Sequence, residues 1–380
     1  MIALLLAAAA QMQPSAAPAQ DYRPVTCAAR RTYAGRPLHV PVSSRLVAPF
    51  VTAPLPAATA SSLDAAFAEA QQRTRAEALS VAVARLGEGM WHRDAIPAPA
   101  ERLWWASAAK TFTAVVVLQL AGEGRLSLDD PVSRWIEGVP NGSAVTIRDL
   151  LQHTSGLFSA NEDPAWRAAP RPLTPDLTLE IVRRRGAMFC PGEHWRYSNS
   201  GYTLLGEVIR AVDGRSWQEA VEARIVRPLG LTSIRPLRPG APAGIATPRP
   251  SRPQPGDPTW TGPAGGIAGT ADDMVRFWAA LLGGRLVPAD ARDAMFAALY
   301  PMFDETSFYG LGTMVYDLPD GPDRLLLLGH AGGGPGANAL VAYSPRDRAI
   351  VAAALNGEAP APAVVNLMLR TLRRNREETR

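Results

Sequence analysis

A chain of 380 residues that is 47% hydrophobic and 19% charged can bury a large core and carries too little charge to stay disordered. Its formal net charge of +4 is spread along the chain, which excludes the massed cationic surface of a nucleic-acid groove. The two cysteines, Cys27 and Cys190, are far apart, and His39, His92 and His194 have no partner arrangement, so no metal centre and no cofactor is expected.

From the N-terminus, an apolar run over 2–10 precedes Pro14 and an Ala17-Pro18-Ala19 pattern. This predicts an export signal over 1–19 and a periplasmic or secreted protein, although no Arg or Lys precedes the run. The run is too short to span a bilayer, and no other segment is expected to cross one after the signal is removed. Residues 20–60 are rich in Pro, Ala and Ser without a period and read as an extension or wrapping arm. The compact domain is expected over 61–380. It opens with an amphipathic helix from Leu63 to about Ala76, then a hairpin whose strands over 79–86 and 90–96 flank Gly87-Glu88-Gly89.

Residues 107–299 read as mostly helical. Thr146 with Asp149, Ser216 with Glu219, and Thr270 with Asp273 each resemble a capping box. Apolar residues at Met274, Phe277, Trp278 and Leu281 follow the last of these, and Gly283-Gly284 ends that helix. Pro and Gly dominate 235–266, predicting a long surface excursion. Extended runs return at 309–316, 324–330, 339–343 and 350–356, with a turn at Ser344-Pro345-Arg346-Asp347 and a last helix over about 363–374. Strands at both ends and helices between imply an α+β fold, an α/β sandwich. Its antiparallel sheet is built from both chain ends, flanked by helices, with a mostly helical insert.

Of the 39 basic residues, 38 are Arg; Lys110 is the only lysine. Arg serves surface charge as well as Lys does but cannot usefully lose its proton, so a lone lysine is expected where only an amine works. Lys110 closes Ser107-Ala108-Ala109-Lys110 at the start of a buried helical run. Residues three apart there share a face, and a buried amine can take the proton of a serine nucleophile. Tyr197-Ser198-Asn199 lies on a loop leading into a helix, where a phenol can relay a proton and an amide can orient its neighbours. His330-Ala331-Gly332-Gly333-Gly334 ends an apolar strand and permits close backbone approach. A backbone N–H there, with that of Ser107, would form an oxyanion hole.

In this order the three segments resemble the penicillin-recognising serine enzymes, in the branch of class C β-lactamases, D,D-carboxypeptidases, D-aminopeptidases and related esterases. The stretches Leu126 to Val132, Ile147 to Leu157 and Ala264-Gly265-Gly266 are similar too, and the resemblance covers about 61–370. It implies Ser107 as nucleophile, Lys110 and Tyr197 as the proton-transfer pair, Asn199 as an orienting residue, and the N–H groups of Gly333 and Ser107 as oxyanion donors. His330 and Gly332 would border the substrate. Relatives of class A type carry S-D-N and K-T-G where this chain has Y-S-N and H-A-G, and the stretch between Ile96 and Ser107 is short for the family.

The expected reaction is hydrolysis of a β-lactam, a D-amino-acid peptide or amide, or a small ester through an acyl-enzyme. The expected partner is a small-molecule or peptidoglycan-like substrate. An acyltransferase or transpeptidase on the same fold, and a non-catalytic cell-wall-binding relative, are the alternatives. His153 and Thr154 read as helix-terminating structural residues. Cys27 and Cys190 are either paired or two buried thiols; the sequence leaves both open, as it does the oligomeric state.

Overall fold

The computed structural model describes residues 22–241, 244–251 and 257–378; the export signal expected over 1–19 lies outside them. Helix α1 spans Ala57–Thr74, earlier at its start than the apolar pattern implied. It stops where Arg75 takes a left-handed conformation (φ 53°). The hairpin forms as β1 (Leu79–Arg85) and β2 (Gly89–Ala95), followed by the short β3 (Leu103–Trp104). The middle of the chain contributes α2 (Ala109–Gly122), α3 (Ile147–Leu151) and α4 (Asn199–Asp213). The short strands β4 (Arg235–Pro236) and β5 (Ile267–Gly269) precede α5 (Ala271–Leu282). The C-terminal part supplies β6 (Tyr300–Pro301), β7 (Ser307–Tyr309), β8 (Met314–Asp320), β9 (Asp323–Gly334), β10 (Ala337–Ser344), β11 (Ala349–Asn356) and α6 (Ala361–Glu378).

Eight of these strands make one sheet in the order β2-β1-β11-β10-β9-β8-β7-β6, antiparallel at every pairing. The two chain ends meet where β1 pairs β11, Val81 opposite Ala353. Because side chains alternate across a strand, the two faces feed two cores. Leu79, Val81 and Val83 of β1 join Val351 and Ala353 of β11 beneath α1 and α6. Ala82 and Ala84 join Ile350, Ala352 and Ala354 against the helices on the other side, α2 and α5 among them. A sheet covered on both faces needs apolar residues at nearly every position, which explains the unbroken run of β11. β3, β5 and β4 form a separate small sheet.

Three local expectations change. The run over 309–316 is two strands, because the chain turns between β7 and β8. A Cβ on Gly310 would lie 1.9 Å from the Met295 carbonyl, and Gly312 takes φ +69°. The capping boxes at Thr146 and Ser216 form, but Thr270 caps nothing with its side chain. Asp273 instead accepts from the Ser233 N–H and hydroxyl, at 2.7 and 2.8 Å, so a tertiary partner outcompetes the local one. The region over 235–266 is not wholly irregular either: β4 and a short helix, Gly262–Gly265, lie within it.

Residues 22–56 form an arm on the domain surface. Val25, Arg31 and Ala34 donate their N–H groups to the carbonyls of Ala187, Pro191 and Glu193, at 2.8–2.9 Å, and Cys27 is disulfide-bonded to Cys190. On the other side of the sheet, Phe112 of α2 stacks on Phe277 of α5 with ring centroids 3.8 Å apart, both rings fully buried. Phe112→Ala should therefore destabilise the fold by about 3–5 kcal/mol. Urea unfolding would show this as a lower midpoint at unchanged slope.

Candidate active site

Ser107, the expected nucleophile, sits on an elbow. β3 ends at Trp104, Trp105 is pinned by its N–H to the Ile267 carbonyl (2.9 Å) and by its indole N–H to the Gly269 carbonyl (3.1 Å). Ala106 then takes φ +44°, a conformation that costs an L-residue about 1–2 kcal/mol. This sharp reversal turns the chain into the 3₁₀ turn Ala106–Ala108 and on into α2. Ser107 is left half-buried at the turn, while everything beneath it is core.

Lys110 is fully buried. Its Nζ lies 3.1 Å from Ser107 Oγ, 2.8 Å from Asn199 Oδ1 and 2.6 Å from the Ala264 carbonyl. Among the described residues no carboxylate pairs with it. Burial without a counter-ion disfavours the charged form, and the amine is held well below its ordinary pKa of 10.5 for that reason. A neutral amine has two N–H donors and one lone pair. The amide and main-chain oxygens can only accept, so they take the two donors. The lone pair is left for the Ser107 hydroxyl.

Tyr197 arrives from the loop before α4, and Asn199 is the first residue of that helix. The Tyr197 ring is 4.8 Å from Lys110 Nζ. Burial pushes its phenol above the ordinary range, a rise that the nearby Ser107 hydroxyl opposes, yet its oxygen sits outside hydrogen-bonding geometry to any group. His153 Nε2, Ser198 Oγ and Trp195 Nε1 are likewise buried without a partner. The two titratable groups flanking Ser107 are thus pushed in opposite directions, the amine toward neutrality and the phenol toward keeping its proton.

Strand β9 closes the other side. A Cβ on Gly332 would lie 2.0 Å from the Trp105 carbonyl and 3.2 Å from the Ser107 nitrogen, so only glycine lets this strand meet the elbow. Gly333, one residue on, is half-exposed and pairs in register with Asn338 of β10. His330 departs from its expected place at the substrate. It is fully buried, with Nδ1 2.6 Å from the Ala331 carbonyl and Nε2 3.0 Å from the Tyr309 hydroxyl. The carbonyl requires the proton on Nδ1, so Nε2 accepts from Tyr309. Burial, with the Lys110 amine adding to it, lowers its pKa to about 3. His330 is therefore a neutral support for the aromatic cluster, where the sequence suggested a group facing the cleft.

The structure also recruits residues that sequence reasoning passed over. Asn199 Nδ2 donates to Asn161 Oδ1 (3.0 Å), which also accepts from Ser159 Oγ (2.7 Å), and Ser159 Oγ accepts the Asn199 N–H (3.0 Å). This network orients the amide so that its oxygen faces Lys110. Two polar residues just after a His-Thr-Ser-Gly turn were the available signal. His153 ends α3 with φ +65°, as its structural reading implied. It also accepts the Ser198 N–H at Nδ1 (3.2 Å) and lies 4.2 Å from the Tyr197 ring. The Ala264 carbonyl carries no side-chain signal at all. Among the described residues, no cluster of His, Cys, Asp or Glu is arranged to hold a metal ion.

The chain is 28% identical over 224 residues to the putative penicillin-binding protein PbpX of Bacillus subtilis, covering 57% of this chain and 54% of that protein. It is 33% identical over 226 residues to esterase EstB of Burkholderia gladioli, covering 52% and 57%. The chain thus spans about half the length of these curated relatives. A D-stereospecific amidohydrolase from Streptomyces sp. superposes with a TM-score of 0.69 at 32% identity, over 82% of this chain and 98% of that one. The sequence model of the Beta-lactamase family matches residues 63–373, nearly the whole domain from α1 into α6, and the chain belongs to that family.

Proposed function

We propose that this protein is an exported serine hydrolase that works through an acyl-enzyme on Ser107. The observation that carries the reading is the buried, counter-ion-free amine of Lys110, with its lone pair turned to the Ser107 hydroxyl. Lys110 takes the Ser107 proton as Oγ bonds to the substrate carbonyl carbon. The oxyanion that forms is held by the N–H groups of Ser107 and Gly333. Collapse expels the alcohol or amine, which receives a proton from Tyr197, suited to this by a phenol that keeps its proton. Water then attacks the acyl ester and gives its proton to the Tyr197 phenolate, while Ser107 Oγ leaves with the proton held on Lys110, so that all three groups return to their starting state. Asn199 keeps Lys110 aligned throughout.

Small acyl esters and D-amino-acid amides or peptides fit the site better than β-lactams. The third motif offers a neutral, buried His330 in place of a cation for a substrate carboxylate. A hydrogen bond to a charged group contributes roughly 1.5–3 kcal/mol, about ten- to hundredfold in affinity. The likeness to an esterase and a D-stereospecific amidohydrolase supports the same preference.

A fluorophosphonate probe should label Ser107, and Ser107→Ala should abolish both labelling and turnover; peptide mapping that places the adduct elsewhere overturns the mechanism. Lys110→Arg should be nearly as inactive as Lys110→Ala, since Arg keeps the charge but supplies no base. In the wild type, the neutral amine is lost as pH falls through its lowered pKa. The acid limb of kcat/KM should therefore lie well below 10.5; a limb in the ordinary lysine range would show that burial does not keep the Lys110 amine available as a base near neutral pH. Finally, kcat/KM for a short acyl ester should exceed that for a cephalosporin by about tenfold or more, and a strong cephalosporin preference would refute the argument from charge.

A further inference from the structure

The arm lies outside the stretch that matches the family, which begins at residue 63, yet its contacts converge on the loop that delivers Tyr197. Arg30 reaches Asp149 with a two-pronged ion pair, Nε to Oδ2 at 2.9 Å and Nη2 to Oδ1 at 2.8 Å. Asp149 is fully buried, and Arg30 is the one cation paired with it among the described residues. The same carboxylate accepts from the Thr154 hydroxyl (2.8 Å) and from the Thr146 N–H (3.0 Å) and hydroxyl (2.8 Å). It therefore locks the turn that carries His153 and Thr154.

That turn in turn holds the Tyr197 loop. The Thr154 carbonyl accepts the Gly192 N–H (2.8 Å), and the His153 carbonyl accepts the Arg196 N–H (3.0 Å). The His153 ring lies against Tyr197 and accepts the Ser198 N–H. From its outer side the loop is gripped by the arm itself, through the Cys27–Cys190 bond and the N–H groups of Arg31 and Ala34. The approach is close enough that a Cβ on Gly192 (φ +82°) would lie 2.6 Å from the Arg31 carbonyl. Among the described residues the Tyr197 hydroxyl finds no partner in good hydrogen-bonding geometry, so the ring's placement depends largely on what braces its loop.

We infer that the arm is a working part of the active site, with Cys27 and Arg30 acting as positioning residues for the Tyr197 phenol. This rests on the reading of Tyr197 as the proton-transfer group beside Ser107. A phenol displaced by a fraction of an ångström still lets substrate bind but delivers its proton poorly, so the loss falls on kcat rather than KM.

The test uses the purified protein, oxidised or treated with a phosphine reductant, which opens the one disulfide the two cysteines can make. Arg30→Gln and Arg30→Lys are assayed beside it. Ester kcat and KM and the rate of Ser107 labelling by a fluorophosphonate are measured where near-UV circular dichroism shows folded protein. Reduction and Arg30→Gln should each lower kcat and the labelling rate about tenfold with KM within about twofold, and Arg30→Lys should recover part of the loss. Unchanged kcat in the folded, reduced protein, or activity lost only in step with the folded signal, overturns the inference. If Arg30→Gln does not fold, the reduced wild type decides. Absence of Ser107 labelling in the oxidised wild type would instead overturn the underlying reading of the site.

Discussion

A lysine amine fully buried with no carboxylate paired to it among the described residues is the constraint around which the rest of this protein is arranged. Burying a cation unpaired is costly, and this holds the Lys110 pKa well below its ordinary value, beside acceptors that cannot donate back. Every element near it serves that condition. α2 places the amine one turn from Ser107, and the network of Asn199, Asn161 and Ser159 fixes the amide that receives its first proton. The short helix after the proline-rich excursion presents the Ala264 carbonyl for the second. The result is an amine whose surroundings favour its uncharged form, as the proposed role of base requires.

Such preparation depends on close packing between elements distant in sequence. The elbow at Ala106 is strained, and it is held there by Trp105, whose main chain and indole both bond to β5. β9 then meets the elbow at Gly332, where any side chain would collide with the backbone of Trp105. The apolar sheet beneath, covered on both faces, gives the elbow and β9 a rigid floor. A site built this way needs little rearrangement to stabilise developing charge, which is the main source of catalytic electrostatics.

The third motif shows how burial changes the meaning of a residue type. An exposed histidine in that place would be an adjustable, half-protonated contact for a substrate near pH 7. Enclosed against Tyr309 and the Ala331 carbonyl, His330 is a fixed neutral part of the wall. His330 joins, through Tyr309, the aromatic cluster of His153, Tyr197, Tyr202 and Tyr309, and burial there acts on Lys110 and Tyr197 alike. It disfavours whichever form carries charge, so one environment lowers the amine's pKa and raises the phenol's, as the proposed base and acid roles require.

Much of this was legible in the chain itself. The single lysine three residues after Ser107, the Tyr-Ser-Asn loop before a helix, and the glycine run ending a strand are local patterns. Local patterns follow from spacing and residue chemistry, so the antiparallel sheet closed by both termini and the core of the site could be read without coordinates. Tertiary structure decided the rest. Asp273 abandons the Thr270 cap for Ser233, the run over 309–316 breaks into two strands, and His330 turns inward. Cys27 joins Cys190, and Arg30 meets Asp149 across more than a hundred residues. Each depends on which groups become neighbours in space, where burial and competing hydrogen-bond partners outweigh what adjacent residues prefer.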